Sequence, residues 1–312
     1  MKDRPDGVTD ADIRAALAAG WGLDATDIRY LPVGAGSYHW VAGDRWFVTV
    51  DGLGFADSFT PLRTALETAT ALRRAGLRFV VAPIDGPQVL WPLRSTHAVA
   101  VYPLIDGHTD GFGDGHANRE AVIDLIAALH QARPTGADVT DLQLPGRAGL
   151  EKALDDLEKP WSTGPYADSA RALLTTHADK VRTWLADYDR MAGALRETTA
   201  DWVITHGEPH PANVLHTATG PLLIDWDTVR IAPPERDLWH LAKDPFAPDP
   251  ADLTRWAATT GREPSPTGLA FYRLSWILAD VASYVHDLRG PHGAGGDAED
   301  ALTYLAVNIT MP

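Results

Sequence analysis

Residues 202–239, WVITHGEPHPANVLHTATGPLLIDWDTVRIAPPERDLW, decide how this chain is read. A short apolar run precedes His206 and a second, PLLID, leads to Asp225, so two strand-like pieces frame a polar loop. Inside that frame stands H-G-E-x-x-x-x-N, from His206 to Asn213, followed by I-D-W-D from Ile224 to Asp227. Phosphoryl transfer needs oxygen ligands for magnesium, and an amide beside a carboxylate supplies them without overloading the ion with negative charge. Asn213 and Asp225 fit those roles. His206, His210 and His216 invite zinc as an alternative, but no compact histidine pair lies on a convincing helix and the adjacent Asn and Asp explain magnesium better.

Toward the N-terminus, residues 8–20 place Asp10 and Asp12 ahead of Ile13 and Leu17, the pattern of a short amphipathic helix with acids near its start. From Ile28 the chain turns rich in β-branched and aromatic residues, with Gly43-Asp44 between two runs, and predicts a β-meander ending in RWFVTVD. Residues 61–75 begin at Pro61, repeat Leu62, Leu66, Ala69 and Leu72 at helical spacing and stop at Gly76. FVVAPI, QVLWPL and HAVAVYPLI predict three further strands, so one helix interrupts a mainly antiparallel sheet that ends near Leu104.

Toward the C-terminus, TDGFGDGHAN reads as loop, Arg119–Gln131 as a helix with Val122, Ile123, Ile126 and Leu129 along it, and 168–197 as one long helix or a broken pair. Residues 268–289 carry an apolar stripe of Leu274, Ile277, Leu278 and Val281, and the Pro-rich stretch 244–266 reads as a connecting loop.

The motif pair resembles the aminoglycoside phosphotransferase family, distant relatives of protein kinases, whose catalytic loop reads H-G-D-x-x-x-x-N and whose metal motif reads I-D-[WF]. The resemblance covers most of the chain and implies an α+β, protein-kinase-like two-lobed fold. It would consist of an N-terminal nucleotide-binding lobe over 1–104, with antiparallel sheet plus helix, and a mainly α-helical catalytic and substrate-binding lobe over 105–312. It implies transfer of the γ-phosphoryl group of ATP or GTP, with Mg2+, to a hydroxyl of a small molecule. Asp237, in PPERDLW, is implied to brace the catalytic loop.

Two departures stand out. Glu208 occupies the position of the family's Asp, which accepts the substrate hydroxyl proton, so the resemblance implies that Glu208 is the catalytic base, and its extra methylene moves the carboxylate by more than about an ångström. Thr49, in RWFVTVD, stands where the resemblance places the lysine that contacts the nucleotide phosphates, and none of the chain's five lysines falls in the sheet. An arginine, a second metal or the substrate itself must then supply that positive charge. Glu67, where that lysine's ion-pair partner would lie, reads equally well as a solvated helix residue.

The loop 33–38, V-G-A-G-S-Y, sets Gly34, Gly36 and Ser37 between two strands, where backbone N–H groups can cradle phosphate. His39 replaces a third glycine, and a G-x-G in a hairpin is also ordinary turn chemistry. The connector at Tyr102 to Leu104 is implied to recognise the purine. Trp226 flanks the metal carboxylate and is the one tryptophan singled out from core packing. Asp280, Tyr284 and Asp287 are candidates for binding a cationic acceptor, the plainer reading being a solvated helix face.

The chain's 312 residues carry 27 Lys plus Arg against 42 Asp plus Glu, a formal charge of −15, which disfavours nucleic acid and suits an amine-bearing substrate. With no Cys there is no disulfide framework or thiolate metal site. No membrane span or signal peptide is evident, so a soluble, cytoplasmic protein is expected. A degenerate kinase fold that binds a nucleotide or small ligand without transferring phosphate is the rival reading, motivated by Thr49.

Overall fold

In the computed structural model, residues 4–5, 7–34, 36–53, 59–111, 117–133, 136–244 and 247–311 are described, with 242–244 and 247–248 described by main chain alone. Part of the expected loop TDGFGDGHAN, at 112–116, lies outside them. Packing groups the chain into two compact units, Met1–Val139 with Trp202–Glu263, and Thr140–Asp201 with Pro264–Pro312.

The first unit opens with α1 (Asp10–Trp21). Thr9 and Asp12 form a capping box at its start, and Gly22, in the left-handed region at φ 68°, ends it. There follow β1 (Ile28–Leu31), β2 (Ser37–Ala42), β3 (Trp46–Gly52), α2 (Phe59–Arg74), β4 (Trp91–Leu93) and β5 (His97–Pro103). The strands make one antiparallel sheet in the order β1-β2-β3-β5-β4. Strand periodicity explains why both faces are covered. Val48, Val50, Val99 and Val101 point to one face and join Ile13 and Leu17 of α1 around Trp40. Ala98 and Ala100 point to the other, against Leu66 of α2. Burying a residue such as Leu66 or Leu72 in this way contributes about 2 kcal/mol each.

One expected strand is absent. FVVAPI makes a single parallel bridge, Val80 to Leu223, because its main chain crosses between partners: Val81 donates to the Leu223 carbonyl, Ile84 to the Val101 carbonyl, and Pro83 has no N–H to give. QVLWPL is likewise a strand only over its last three residues.

Past the sheet come β6 (His108–Thr109) and α3 (Arg119–Gln131), the latter over the span the sequence predicts and with Val122, Ile123, Ile126 and Leu129 fully buried. The second unit then supplies α4 (Arg147–Asp155), α5 (Ala167–Thr176) and α6 (Ala178–Arg196), so the long helical stretch is a broken pair. Back in the first unit, β7 (Val203–Thr205), β8 (Val214–Thr217), β9 (Gly220–Leu223) and β10 (Arg230–Ala232) form two small ribbons. β10 pairs with β7, and β8 lies between β6 and β9. The loop carrying Glu208 joins β7 to β8, and the I-D-W-D turn joins β9 to β10.

α7 (Glu235–Leu238), β11 (Ala242–Asp244), β12 (Ala247–Pro248) and α8 (Pro250–Thr260) complete this unit. α8 lies inside the stretch read as loop. Its prolines punctuate rather than break it, since Asp249 caps the helix by accepting the Ala251 amide and Pro250 takes the first position, where no N–H is needed. The second unit closes with α9 (Pro266–Arg289) and α10 (Gly296–Thr310). α9 is its axis, packing on α4, α5, α6 and α10 through Phe271, Ile277, Leu278, Val281 and Val285. No helix among the described residues is long and apolar enough to cross a membrane.

Candidate active site

A cavity of about 630 Å³ in the first unit is lined by the β1–β2 loop at Gly36 and Ser37, by Asp51 at the end of β3, by Leu62 of α2, and by Glu208, Asp225, Asp227 and Arg230. Its position follows from the two ribbons, which turn the H-G-E loop and the I-D-W-D turn toward the same space.

His206 fixes the relation between those two turns. Its Nδ1 accepts the Glu208 amide at 3.2 Å and its Nε2 donates to the Ile224 carbonyl at 2.8 Å, so the ring is neutral with the proton on Nε2. Burial agrees, pushing its pKa down to about 4. Both nitrogens are engaged, which leaves no lone pair for zinc, and the ring holds the two turns together. The ring meets Trp226 edge to face at 4.6 Å. Trp226 is itself fully buried, with Nε1 donating to the Leu223 carbonyl, and is therefore core packing rather than a platform for a ligand.

Asn213 closes the same turn from the other side. Its Nδ2 donates to the Glu208 carbonyl at 3.0 Å and to His210 Nε2 at 3.3 Å, while its own carbonyl accepts the Ile224 amide. With Nδ2 engaged, Oδ1 is the amide atom that offers lone pairs to a cation. Asn213 is 7% exposed and stays behind the cavity wall, whereas Glu208 and Asp225 reach its lining. His210 Nε2 lies 3.9 Å from Glu208.

Asp225 sits at φ 66°, the left-handed region that a non-glycine residue adopts only where surroundings enforce it. Surrounded by protein atoms although exposed as a residue, its carboxyl is pushed above the usual range, first by desolvation and then by the charges of Asp227, Glu208 and Asp51. Asp227 is raised for the same first reason, against the pull of Arg236 and of backbone amides. Asp51, pushed up to about 7 by burial, accepts the Ser37 hydroxyl at 2.5 Å. The donors gathered here are oxygens, the kind a hard divalent cation takes, and among the described residues no group of three or more His, Asp or Glu is placed to hold a metal ion by itself.

The remaining predicted residues fall as follows. Gly34 and Gly36 both have positive φ, 73° and 84°, and Gly34 rests against the His39 ring. Thr49 pairs with Ala100 and Tyr102 with Phe47, which sets Thr49, Asp51 and Tyr102 on the α2 face of the sheet. Burial, then Asp51, Asp225 and Asp227, raise the Tyr102 hydroxyl well above its ordinary value. The Leu104 amide is already engaged with the Arg45 carbonyl. Glu67 is exposed and pairs only loosely with Arg63 on its own helix. Asp280, Tyr284 and Asp287 lie on α9 in the second unit. Asp280 accepts Asn308 Nδ2 at 3.1 Å, Tyr284 stacks on Tyr304, and Asp287 is exposed.

Sequence reasoning missed four groups, among them Arg230, the cation of the lining, which belongs to no motif. Asp51 was legible as the residue two beyond Thr49 on the same strand face, and Asp227 as the second acid of I-D-W-D. Arg236 gave no signal: its guanidinium lies against Gly207 and donates to the Thr205 hydroxyl at 3.0 Å, beneath the catalytic loop. Asp237 does brace that loop, accepting the amides of His206 and Gly207 and bonding His130 Nε2 at 3.0 Å. Trp256 Nε1 in turn donates to His130 Nδ1.

A kinase-like sheet and helix pair, with carboxylates gathered under a glycine-bearing hairpin loop, define a phosphotransferase of the small-molecule kinase class. The chain belongs to the phosphotransferase enzyme family, whose model matches residues 27–274. It is 31% identical over 309 residues to Protein StrN of Streptomyces griseus, covering 91% of this chain and 86% of that one. Among solved structures it is similar to spectinomycin phosphotransferase APH(9)-Ia in complex with ADP and spectinomycin, with a TM-score of 0.76 at 16% identity over 98% of this chain and 96% of that chain. The GDP complex of wild-type aminoglycoside 2'-phosphotransferase-IIIa gives 0.56 at 15% identity over 97% and 99%. At such identities the likeness bears on the fold, which is the α+β, protein-kinase-like one expected.

Proposed function

We propose that this chain transfers the γ-phosphoryl group of ATP or GTP, with magnesium, to a hydroxyl of an amine-bearing small molecule such as an aminoglycoside or related natural product, an activity that would confer antibiotic resistance. The observation that carries the reading is the convergence of Glu208, Asp225 and Asp227 on one cavity beneath Gly36 and Ser37. The ADP complex of a spectinomycin phosphotransferase with this fold supports a nucleotide as donor.

Residues 1–104 would carry the nucleotide, with the Gly34–Ser37 loop and Thr49 at the phosphates and Tyr102 to Leu104 at the purine, while 105–312 supply catalysis and acceptor binding. Glu208, the lining acid with 37% of its side chain exposed, accepts the acceptor's hydroxyl proton as the new P–O bond forms and the bond to the β-phosphate oxygen breaks. Asn213 Oδ1 and Asp225 would hold magnesium, which when bound neutralises charge on the phosphates. Asp280, Tyr284 and Asp287 are assigned to the acceptor's ammonium groups. The acidic chain, formally −15, favours such a cation over nucleic acid, and the cytoplasm is the compartment that supplies the donor. The rival, a ligand-binding protein without phosphotransfer, is not favoured, since a scaffold would have no need of Asp225 held at positive φ in the cavity lining.

An ADP- or GDP-release assay with magnesium over a panel of amine-containing antibiotics and sugars tests the proposal. Turnover with at least one acceptor is expected, lost in Asp225→Ala and reduced by about a hundredfold or more in Glu208→Gln. Turnover that persists in Asp225→Ala would remove the site assignment, and nucleotide binding without turnover on any acceptor would favour the rival.

A further inference from the structure

The cavity has four carboxylates in its lining, Asp51, Glu208, Asp225 and Asp227, and one cation, Arg230. Arg230 begins β10, where its main chain pairs with Thr205 and its carbonyl accepts the Thr205 hydroxyl. Among the described residues its guanidinium makes no hydrogen bond or ion pair. That is unusual in this chain. Arg119, Arg147 and Arg289 are also partly withdrawn from solvent, and each is paired with an aspartate. The cation that draws Asp227 down is Arg236, which is tied to Thr205 beneath the loop.

A guanidinium is a rigid fork of donors matched to the paired oxygens of a carboxylate or phosphate. One that shares a cavity with four acids and pairs with none of them is held for an anion that arrives from outside. A polyphosphate entering this cavity meets four acidic side chains, and no lysine stands in the lining to offset them. From Arg230, unpaired in the same lining as Asp225, we infer a donor-binding residue that takes the terminal phosphates of the nucleotide, the positive charge that Thr49 leaves unsupplied on β3. The inference rests on the kinase reading of the same site.

Calorimetric titration of the full chain with AMP, ADP and ATP, each with magnesium, tests it in wild type, Arg230→Met and Arg230→Lys. Arg230→Met is expected to weaken ATP by about tenfold to a hundredfold and ADP by less, to leave AMP within about twofold, and to be partly rescued by Arg230→Lys. ATP affinity unchanged in Arg230→Met overturns the inference and leaves the kinase reading standing. Equal losses for AMP and ATP also overturn it, since the effect would then run through the fold, which the unfolding midpoint of each variant reports. A wild type that binds none of the three, nor GMP, GDP or GTP in the same titration, overturns both.

Discussion

The Gly207 amide donates to Oδ1 of Asp237 at 2.6 Å, joining the catalytic loop to a fully buried carboxylate 30 residues further along the chain. The other oxygen takes the His206 amide and His130 Nε2, so one side chain satisfies three buried donors. Burial alone would raise its pKa, but the His130 hydrogen bond, with positive charge nearby including Arg236, holds it below the ordinary carboxylate value. Removing the carboxylate strands all three donors, and Asp237→Ala is expected to cost about 3–5 kcal/mol in urea unfolding. Asp237→Asn keeps the shape but turns one acceptor into a donor facing other donors, and should lie between. A wild-type midpoint for Asp237→Ala would mean that the loop is held by something else.

The chain of bonds extends outward to Trp256. Because its Nε1 donates to His130 Nδ1 at 3.0 Å, the proton of His130 stands on Nε2, facing Asp237. Trp256→Phe keeps most of the buried ring and removes the donor. A loss of about 1 kcal/mol in stability is expected, together with a lower kcat at unchanged nucleotide affinity if the loop shifts. Equal kcat in both forms would confine Trp256 to packing.

Gly207 itself has φ 106°, and a Cβ there would overlap the Arg236 guanidinium. Gly207→Ala therefore combines backbone strain with displacement of the cation beneath the loop, and is expected to cost about 2 kcal/mol or more. Adding Arg236→Ala should relieve the overlap, making the double variant less damaged than the sum of the singles in a mutant cycle. Strict additivity would place the two residues in independent roles.

Asp280 gives a pH dependence. Burial pushes its pKa up to about 6 from the ordinary 3.8, with the Asn308 bond acting the other way. Between those values the folded protein keeps a proton that the unfolded chain has released, so stability falls as pH rises through that window and the penalty is complete above it. Asp280→Asn should gain about 1–2 kcal/mol over wild type at about pH 8, and nothing near pH 4. If the acid is retained for an ammonium-bearing acceptor, the same variant raises the acceptor KM. A stability gain that grew as pH fell would reverse the sign and exclude a buried, protonated Asp280.

Much of the fold was readable because its signals are local. Val48, Val50, Val99 and Val101 alternate with residues of the other face by the geometry of a strand, and Val122, Ile123, Ile126 and Leu129 repeat at the pitch of a helix. The signals failed where main-chain partners were decided elsewhere. FVVAPI has strand composition, yet its amides and carbonyls divide between β9 and β5, and Pro250 looks like a breaker until Asp249 is seen capping the helix it begins.

From the order of its residues alone, this protein was marked as a phosphotransferase: H-G-E-x-x-x-x-N and I-D-W-D specify turns through nearest-neighbour chemistry and need no distant contact to be recognised. Tertiary structure alone decided what surrounds them. Asp51 on β3 and Glu208 on the H-G-E loop meet Asp225, Asp227 and Arg230, which follow one another into β10, in one lining, and Asp237 reaches Gly207 only because α7 folds back under the loop. Spacing along a chain encodes periodicity, whereas the field at a site depends on which charges chain reversals bring within a few ångströms and how much water they exclude, as the unpaired state of Arg230 makes plain.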